Sequence, residues 1–376
     1  MTSAVAAVTR LRWREALLAS LPAFLVFRLL MEAVGRVAAH GGGRHIWDQW
    51  DVGWFSGIAS RGYPALSHVV DRTGSHDGTA FPPAMPVLMR AGGTLGLSPA
   101  TAGLLVSGAC LLIAMVLLYQ LVLLDHPASI ARWTLVLLVA YPFAVFLGVA
   151  YAESLVLLGA VGAWLAGRRG HWWLAGLAVG VALLAKIVFI VLLLPLTLEA
   201  LGWDGGRALH LEAARLRRVV ALWVPALAAL GAWMLYLAVT FNQPLRFLAA
   251  QRGWGRSLGL PIHDIAYVFT PGGNLGVRFI NSVDGFALAL LALMTIYVHR
   301  HVRPTYGVLL GAAWVIFAFN TSLQSNGRHL LLLFPVFIGL AVWTEGRRWL
   351  RPLLVGAQLP LWILLVARFA TGHWAG

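Results

Sequence analysis

Long apolar stretches dominate the pattern of this chain, and short polar segments separate them. Windows of roughly 15 to 23 apolar residues, the length that crosses a bilayer as a helix, predict about eleven transmembrane helices. These windows lie near 16–36, 101–124, 131–147, 152–167, 172–185, 187–201, 219–240, 284–300, 305–322, 329–345 and 353–370. The basic flank and the length of the first window favour an uncleaved span over a signal peptide.

The composition agrees with a membrane location. Of 376 residues, 60% are apolar and only 11% are charged, and the mean hydropathy is +0.80, which no soluble class matches. The chain is therefore predicted to be an all-α polytopic membrane protein that forms one domain over 1–376. The net charge of +14 suggests nucleic acid at first, but the arginines cluster between apolar runs. Such clusters favour cytoplasmic loops that contact anionic lipids, and no nucleic acid is expected as a partner.

The arginine clusters also predict the orientation. All of them fall on one side, the cytoplasm, if 172–201 forms two short segments broken near Lys186 rather than one helix. The N-terminus is then cytoplasmic, and the opposite side receives two large extracytoplasmic loops, 37–100 and 242–283. Abundant Ala, Gly and Arg with a single Lys favour a bacterial plasma membrane.

The first of these loops carries the first candidates for chemistry, Asp48 and Asp51. On a helix the two would share a face, where paired carboxylates hold a divalent cation or act as a base and its orienting partner. Acids just outside a span can instead be an N-cap or solvated loop residues. The neighbouring Trp50, Trp54 and Tyr63 form either an interfacial aromatic belt or surfaces on which sugar rings stack.

Lys186, the chain's one lysine, lies inside the apolar segment LLAKIVF. A charge at the centre of a span costs roughly 2.5 to 3.5 kcal/mol on insertion scales, so it requires a partner. That partner is either an acid on another helix, as a structural ion pair, or an anionic ligand such as phosphate. The sequence leaves both interpretations open.

Five ordered motifs give the chain a resemblance to a known family. They are WDVGWFSGIASRGYP (Trp50–Pro64), AFPPAMPVLMR (Ala80–Arg90), YPFAVFLGVAYAESLVLL (Tyr141–Leu158), FLAAQRGWGRSL (Phe247–Leu258) and NGRHLLLLFPVF (Asn326–Phe337). Their order and spacing resemble the PIG-V family of GPI mannosyltransferases and its bacterial relatives, which belong to the GT-C superfamily of glycosyltransferases. The resemblance covers nearly the whole chain.

This resemblance implies a GT-C-type fold with a helical first extracytoplasmic loop. It also implies mannose transfer from a polyprenyl-phosphate donor on the extracytoplasmic face, with an essential Asp in the first loop. That Asp is Asp51 here, and Asp48 is an additional acid. The chain departs from the family at Lys186, where relatives often carry Arg, and at His329, where Tyr is common. Glu153 matches a position where relatives also carry an acid.

The resemblance also implies inversion at the anomeric carbon, so the predicted mechanism is a single displacement. Asp51 deprotonates the acceptor hydroxyl of a glycolipid or related glycan, with Asp48 or Glu153 assisting. The predicted donor-phosphate residues are Arg256, Arg328 and Lys186, and the predicted sugar and acceptor pocket contains Trp50, Trp54, Tyr63, Gln251 and Trp254.

The sequence leaves three alternatives open, one for the cofactor and two for the class of function. No metal is the default expectation, but a divalent cation at Asp48 and Asp51 is the alternative cofactor. A transporter or flippase for lipid-linked sugars also uses broken helices and buried charges, although it predicts internal repeats that are not visible here. A non-catalytic subunit that binds a lipid-linked sugar is the third class.

Overall fold

A computed structural model describes residues 12–41, 43–71, 74–206, 212–255, 257–347 and 349–376. Nearly all regular structure in these residues is helical. The helices are α1 Trp13–Ala38, α2 Asp51–Arg61, α3 Ala84–Gly93, α4 Pro99–Val122, α5 Ala128–Ala140, α6 Val145–Gly148, α7 Glu153–Arg168, α8 Trp172–Ala185, α9 Leu193–Ala200, α10 Ala213–Phe241, α11 Arg246–Arg252, α12 Ile262–Val268, α13 Leu275–His301, α14 Pro304–Ala318, α15 Asn326–Leu331, α16 Pro335–Trp343 and α17 Leu350–Ala370.

A short hairpin and several 3-10 segments complete the regular structure. Strands β1 Val69–Asp71 and β2 Gly74–His76 pair antiparallel within the first loop, with Val69 opposite His76. The 3-10 segments are Arg44–Trp47, Pro64–Leu66, Gly78–Ala80, Pro142–Ala144 and Ile187–Leu192. The first loop is thus largely helical, as predicted, although the hairpin was not predicted.

Helix length and composition support a multi-pass membrane protein. Five helices in the described ranges, α1, α4, α10, α13 and α17, are long and apolar enough to cross a membrane. The pair formed by α5 and the segment Pro142–Gly148, bent by 75°, makes a sixth if it is one span. The other predicted windows contain shorter apolar helices, so the number eleven stays a prediction.

The predicted break near Lys186 is confirmed. Helix α8 ends at Ala185, and Lys186 is extended, with φ −159° and ψ 108°, before the 3-10 segment Ile187–Leu192 and α9. Small residues let α8 pack closely against its neighbours: a Cβ on Gly176 would lie 2.4 Å from the carbonyl oxygen of Leu222 in α10.

Helix α7 lies at the centre of the protein and links its two polar ends. It packs against α4, α8 and α9, and most of its side chains are buried. It begins at Glu153 and ends at Arg168, and at 1.5 Å per residue these two residues are about 22 Å apart. Each of them belongs to a cluster of charged side chains.

The cluster at the Arg168 end, here called the distal cluster, contains Asp125, Arg168, Glu199 and Arg303. Arg168 Nη1 lies 2.7 Å from Asp125 Oδ2, and its Nε lies 3.5 Å from Glu199 Oε1. Arg303 Nη2 lies 2.5 Å from the same Glu199 oxygen. These pairs connect the turn after α4 with the ends of α7 and α9 and with the turn before α14.

Candidate active site

At the Glu153 end of α7, four charged side chains from distant parts of the chain meet. Arg328 Nη2 donates to Asp51 Oδ2 at 2.9 Å, and Arg328 Nε donates to Glu153 Oε1 at 2.5 Å. Lys186 Nζ donates to the same Glu153 oxygen at 2.8 Å. We call Asp51, Glu153, Lys186 and Arg328 the charge cluster.

Glu153 lies at the centre of this cluster. Its side chain is 0% exposed, and as the first residue of α7 it lies where the helix dipole favours a negative charge. Its Oε1 accepts from both cations, whereas its Oε2 has no hydrogen-bond partner among the described residues. Lys186 therefore has the ion-pair partner that one interpretation of its sequence required.

Arg328 is held from both sides. It is 5% exposed, and its guanidinium carbon lies 4.6 Å from the ring centre of Tyr151 and 4.8 Å from that of Phe146. Cation–π contacts of this kind stabilise a desolvated guanidinium. By contrast, the side chains of Lys186 and Asp51 are 20% and 17% exposed. The edge of the cluster formed by Asp51 and Lys186 is therefore the one that a ligand can reach.

Tyr151 fixes the position of Asp51 and was missed in the sequence. The backbone N–H of Asp51 donates to the Tyr151 hydroxyl at 3.1 Å, and this hydroxyl donates to the carbonyl oxygen of Gln49 at 3.3 Å. Tyr151 thereby holds the first turn of α2 and also contacts Arg328. Its place two residues before Glu153, in the motif YAES, was the available signal.

Asp48 and Asp51 do not share a helical face, because a helix over both residues, the condition for it, is not present. Helix α2 begins at Asp51, and Trp50 before it has φ 55° and ψ −116°, a conformation that is rare for a bulky residue and turns the chain sharply. Asp48 lies before this turn and is exposed. The described contacts of Asp51, Glu153 and Arg328 do not include it.

The positions of Asp48 and Asp51 also affect the metal site that the sequence offered as an alternative. Within the described ranges there is no group of three or more His, Cys, Asp or Glu side chains that could hold a metal ion. Asp51, one of the two proposed ligands, is ion-paired with Arg328. A divalent cation at Asp48 and Asp51 therefore stays a hypothesis that rests on two carboxylates alone.

Aromatic rings gather beside the cluster, at the junction of the two large loops. Trp54 lies one turn after Asp51 on α2. Its ring stacks on that of Phe81, with the ring centres 5.7 Å apart, and packs edge-to-face on that of Trp254, with the ring centres 5.4 Å apart. The centre of the His76 ring lies 4.3 Å from that of the Trp254 ring. The structure thus brings together two of the predicted pocket tryptophans from separate loops.

The other predicted pocket residues have contacts that organise the loops. Tyr63 is buried, and its hydroxyl donates to the carbonyl oxygen of Phe81 at 2.8 Å. Gln251 Nε2 donates to the carbonyl oxygen of Ala80 at 3.2 Å. Trp50 is 45% exposed, and its ring meets Trp374, after α17, at 5.3 Å.

One ion pair joins the two loops. Arg246, the first residue of α11, donates from Nε to Asp77 Oδ2 at 2.7 Å and from Nη2 to the carbonyl oxygen of Ser67 at 3.2 Å. It thereby brings α11, and Trp254 after it, onto the first loop. Arg256 lies outside the described residues, so its predicted contact with phosphate stays a prediction.

The described helices form the all-α, polytopic membrane fold expected from the sequence, and the charge cluster lies at the start of its buried helix α7. Among solved structures, the chain is similar to ArnT from Cupriavidus metallidurans, crystallised with undecaprenyl phosphate. The two share 16% identity over 93% of this chain and 77% of ArnT, with a TM-score of 0.54. This likeness shows the fold alone.

A second solved structure is more distant. The oligosaccharyltransferase AglB from Archaeoglobus fulgidus, in complex with an inhibitory peptide and a dolichol-phosphate, has 12% identity and a TM-score of 0.48. The match covers 95% of this chain and 56% of AglB. No protein-family model and no curated protein matches the chain, so the resemblance to the PIG-V family stays a hypothesis.

Proposed function

We propose that the protein is an inverting membrane glycosyltransferase that moves mannose from a polyprenyl-phosphate carrier to a hydroxyl of a glycolipid or related glycan. The observation that carries this proposal is the contact of Arg328 with Asp51 and Glu153 at once, beside Lys186. This contact supports the proposal, because the residues that we propose as the base and as the two phosphate-binding cations belong to one cluster.

An anionic headgroup would enter the cluster at the edge formed by Lys186 and Asp51, and it would reach the buried Arg328 by displacing Asp51. Arg328 and Lys186 are balanced by two carboxylates, so the four side chains have no formal net charge. A donor phosphate that accepts from Arg328 Nη2 would replace Asp51 as the partner of that nitrogen. Charge-assisted bonds to phosphate oxygens would compensate for the lost pair. Donor binding would then release the Asp51 carboxylate close to the phosphate.

The chemical step follows from this arrangement. The acceptor hydroxyl oxygen attacks the anomeric carbon opposite the phosphate, and its proton passes to Asp51. The bond between that carbon and the phosphate oxygen breaks, and its electron pair remains on the phosphate. Arg328 and Lys186 stabilise the charge that develops there. Because a sugar phosphate already carries a good leaving group, the reaction needs no strong general acid.

Glu153 acts in this scheme by holding the two cations. It is fully buried, and one of its oxygens already accepts from both of them, so it is poorly placed to take a proton from an acceptor. Its role is thus closer to positioning than to the assistance expected from the sequence. The proposal uses no metal, and retained activity after chelation would support this.

Two sources support the donor class. The fold is similar to that of ArnT, whose crystal structure contains undecaprenyl phosphate. The choice of mannose as the sugar rests on the resemblance to the PIG-V family and is more specific than the choice of a polyprenyl-phosphate donor. The orientation proposed with it has a cytoplasmic N-terminus and an extracytoplasmic site, in a bacterial plasma membrane.

The direct test is an assay of the purified full-length protein in lipid nanodiscs. Polyprenyl-phosphate mannose is supplied with a panel of glycolipid acceptors, and products are identified by mass spectrometry. Mannose transfer is the expected result, whereas transfer of another hexose only would replace mannose in the proposal. Translocation of the donor without transfer would point to a flippase, and binding without transfer would point to a non-catalytic subunit.

A further inference from the structure

A fully buried acid lies close to the candidate site but has no role in the scheme above. Asp284 is on α13, one of the helices long enough to span a membrane, and its side chain is 0% exposed. A charged side chain in such a helix is costly, so strong partners are needed to hold it there.

The partners of Asp284 include two backbone amides at the start of α15. Its Oδ1 accepts from the N–H of Gly327 at 2.7 Å, and its Oδ2 accepts from the N–H of Ser325 at 3.1 Å. Amides at a helix start lack partners within their own helix. Ser325 has φ 72° and makes no side-chain cap. The carboxylate of α13 therefore caps α15 from a different helix.

This cap acts on the residue next to Arg328. Gly327 also lies against the ring of Phe143, since a Cβ on Gly327 would lie 2.2 Å from a carbon of that ring. Asp264, on α12, holds the preceding segment by accepting from Ser322 Oγ at 2.9 Å and from the N–H of Leu323 at 2.8 Å. The backbone that carries Arg328 is thus fixed by two acids and one aromatic ring.

We propose that Asp284 is a positioning residue, whose grip on the first turn of α15 keeps the Arg328 guanidinium between Asp51 and Glu153. The effect of Asp284 on the position of Arg328 is argued from the contacts alone. Its effect on donor binding rests on the proposed function. Arg328 reaches Asp51 and Glu153 with bonds of 2.9 and 2.5 Å, and a rotation of this turn would move the guanidinium relative to both carboxylates.

The variant that tests this is Asp284→Asn. The amide keeps the shape of the side chain, but its NH₂ would face a backbone N–H, and one of the two bonds is lost. The matched control is Ser282→Ala on the same helix, because the Ser282 hydroxyl is exposed and, within the part of the chain that the structure describes, bonds only the carbonyl of Arg278. If Asp284→Asn does not fold, Asp284→Glu keeps the charge and displaces the accepting oxygens.

The first measurement reads Arg328 itself and needs no substrate. Labelling of Arg328 by phenylglyoxal, followed by mass spectrometry of the full-length protein, should be slow in the wild type because this side chain is buried. Loss of one hydrogen bond to a charged group should raise the labelling rate roughly tenfold in Asp284→Asn. The Ser282→Ala rate should match the wild type. Equal labelling in the Asp284 variant and the control overturns the proposal.

The second measurement separates positioning from general stability. The kcat/KM for the donor should fall roughly tenfold to a hundredfold in Asp284→Asn. In an Arg328→Lys background the same change should have little further effect, because residues that act through one another are not additive. Independent, additive losses would overturn the proposal. If the wild type shows no transfer, the proposed function fails, while the labelling result still decides the role of Asp284.

Discussion

Arg328 donates to Asp51 across 2.9 Å, although the two residues lie 277 positions apart in the chain. The contact joins the first residue of α2 to the short helix α15, and it uses Nη2, a guanidinium nitrogen that a donor phosphate would need. The candidate base and the phosphate are therefore expected to compete for this nitrogen. This competition makes the roles of the two residues separable by mutation.

The first prediction concerns Asp51→Asn. Loss of the base should lower the transfer rate by about 10² to 10⁴. Polyprenyl-phosphate binding should persist or become tighter, because the neutral amide no longer holds Arg328 by charge. Initial rates and the Kd of the carrier phosphate check the two parts separately.

The control for this prediction is Asp48→Asn. Asp48 is exposed and lies before the turn at Trp50, so its change should cost far less activity than the change at Asp51. Near-normal turnover in Asp51→Asn, in protein that expresses and binds the donor, would rule out Asp51 as the base.

The second prediction concerns Glu153→Gln. Removal of one partner from a buried charge pair typically costs about 3 to 5 kcal/mol, because the remaining charge is left unpaired. Here two cations lose their shared acceptor, so the free energy of unfolding should fall by about this amount and the donor KM should rise. Denaturant unfolding in detergent and donor kinetics provide the measurements.

Glu212→Gln is the matched control. Glu212 is 64% exposed and pairs with Arg215 at 3.7 Å, so its change should alter stability by no more than about 0.5 kcal/mol. An equal loss of stability in the two variants would show that Glu153 is not the centre of the cluster.

The sequence predicted the break at Lys186 because two arginine clusters could share one membrane side only if the chain reversed there. It also predicted that a lysine in an apolar segment needs a partner. Which partner could not be predicted, since Glu153 reaches Lys186 through the packing of α7 on α8. Sequence spacing records periodicity within an element but not contacts between elements.

Asp48 lies outside α2 for a local reason. The spacing of Asp48 and Asp51 fits a helical face, but Trp50 has a positive φ and begins a new direction of the chain. A tryptophan gives no sign of such a conformation, which favours glycine or asparagine. Asp284 was similarly invisible as a cap, because the amides that it holds belong to a different helix.

The third prediction compares two changes at Lys186. Lys186→Arg keeps the positive charge beside Glu153 and should keep donor kcat/KM within about tenfold of the wild type. Lys186→Met removes the charge and leaves Glu153 with Arg328 alone, so the donor KM should rise by about tenfold to a hundredfold. Equal donor KM values in the two variants would show that the charge at this position does not contact the phosphate.

The last prediction uses the distal cluster, which lies about 22 Å from Glu153 along α7. Burial alone would raise the pKa of Asp125, but the hydrogen bond and charge of Arg168, with the charge of Arg303, lower this pKa below its ordinary value of 3.8. Ionised Asp125 therefore stabilises the fold above about pH 4, and this contribution is lost as the pH falls through the lower folded pKa.

Asp125→Asn should accordingly lower the free energy of unfolding at neutral pH and reduce the decline of stability in acid. The donor KM at neutral pH should not change, because sites this far apart with no shared partner usually act independently. Unfolding midpoints across a pH series, with donor kinetics on the same preparation, check both parts. A changed donor KM at unchanged stability would contradict the separation of the two clusters, since it would require the charges at Asp125 and Glu153 to be coupled through α7.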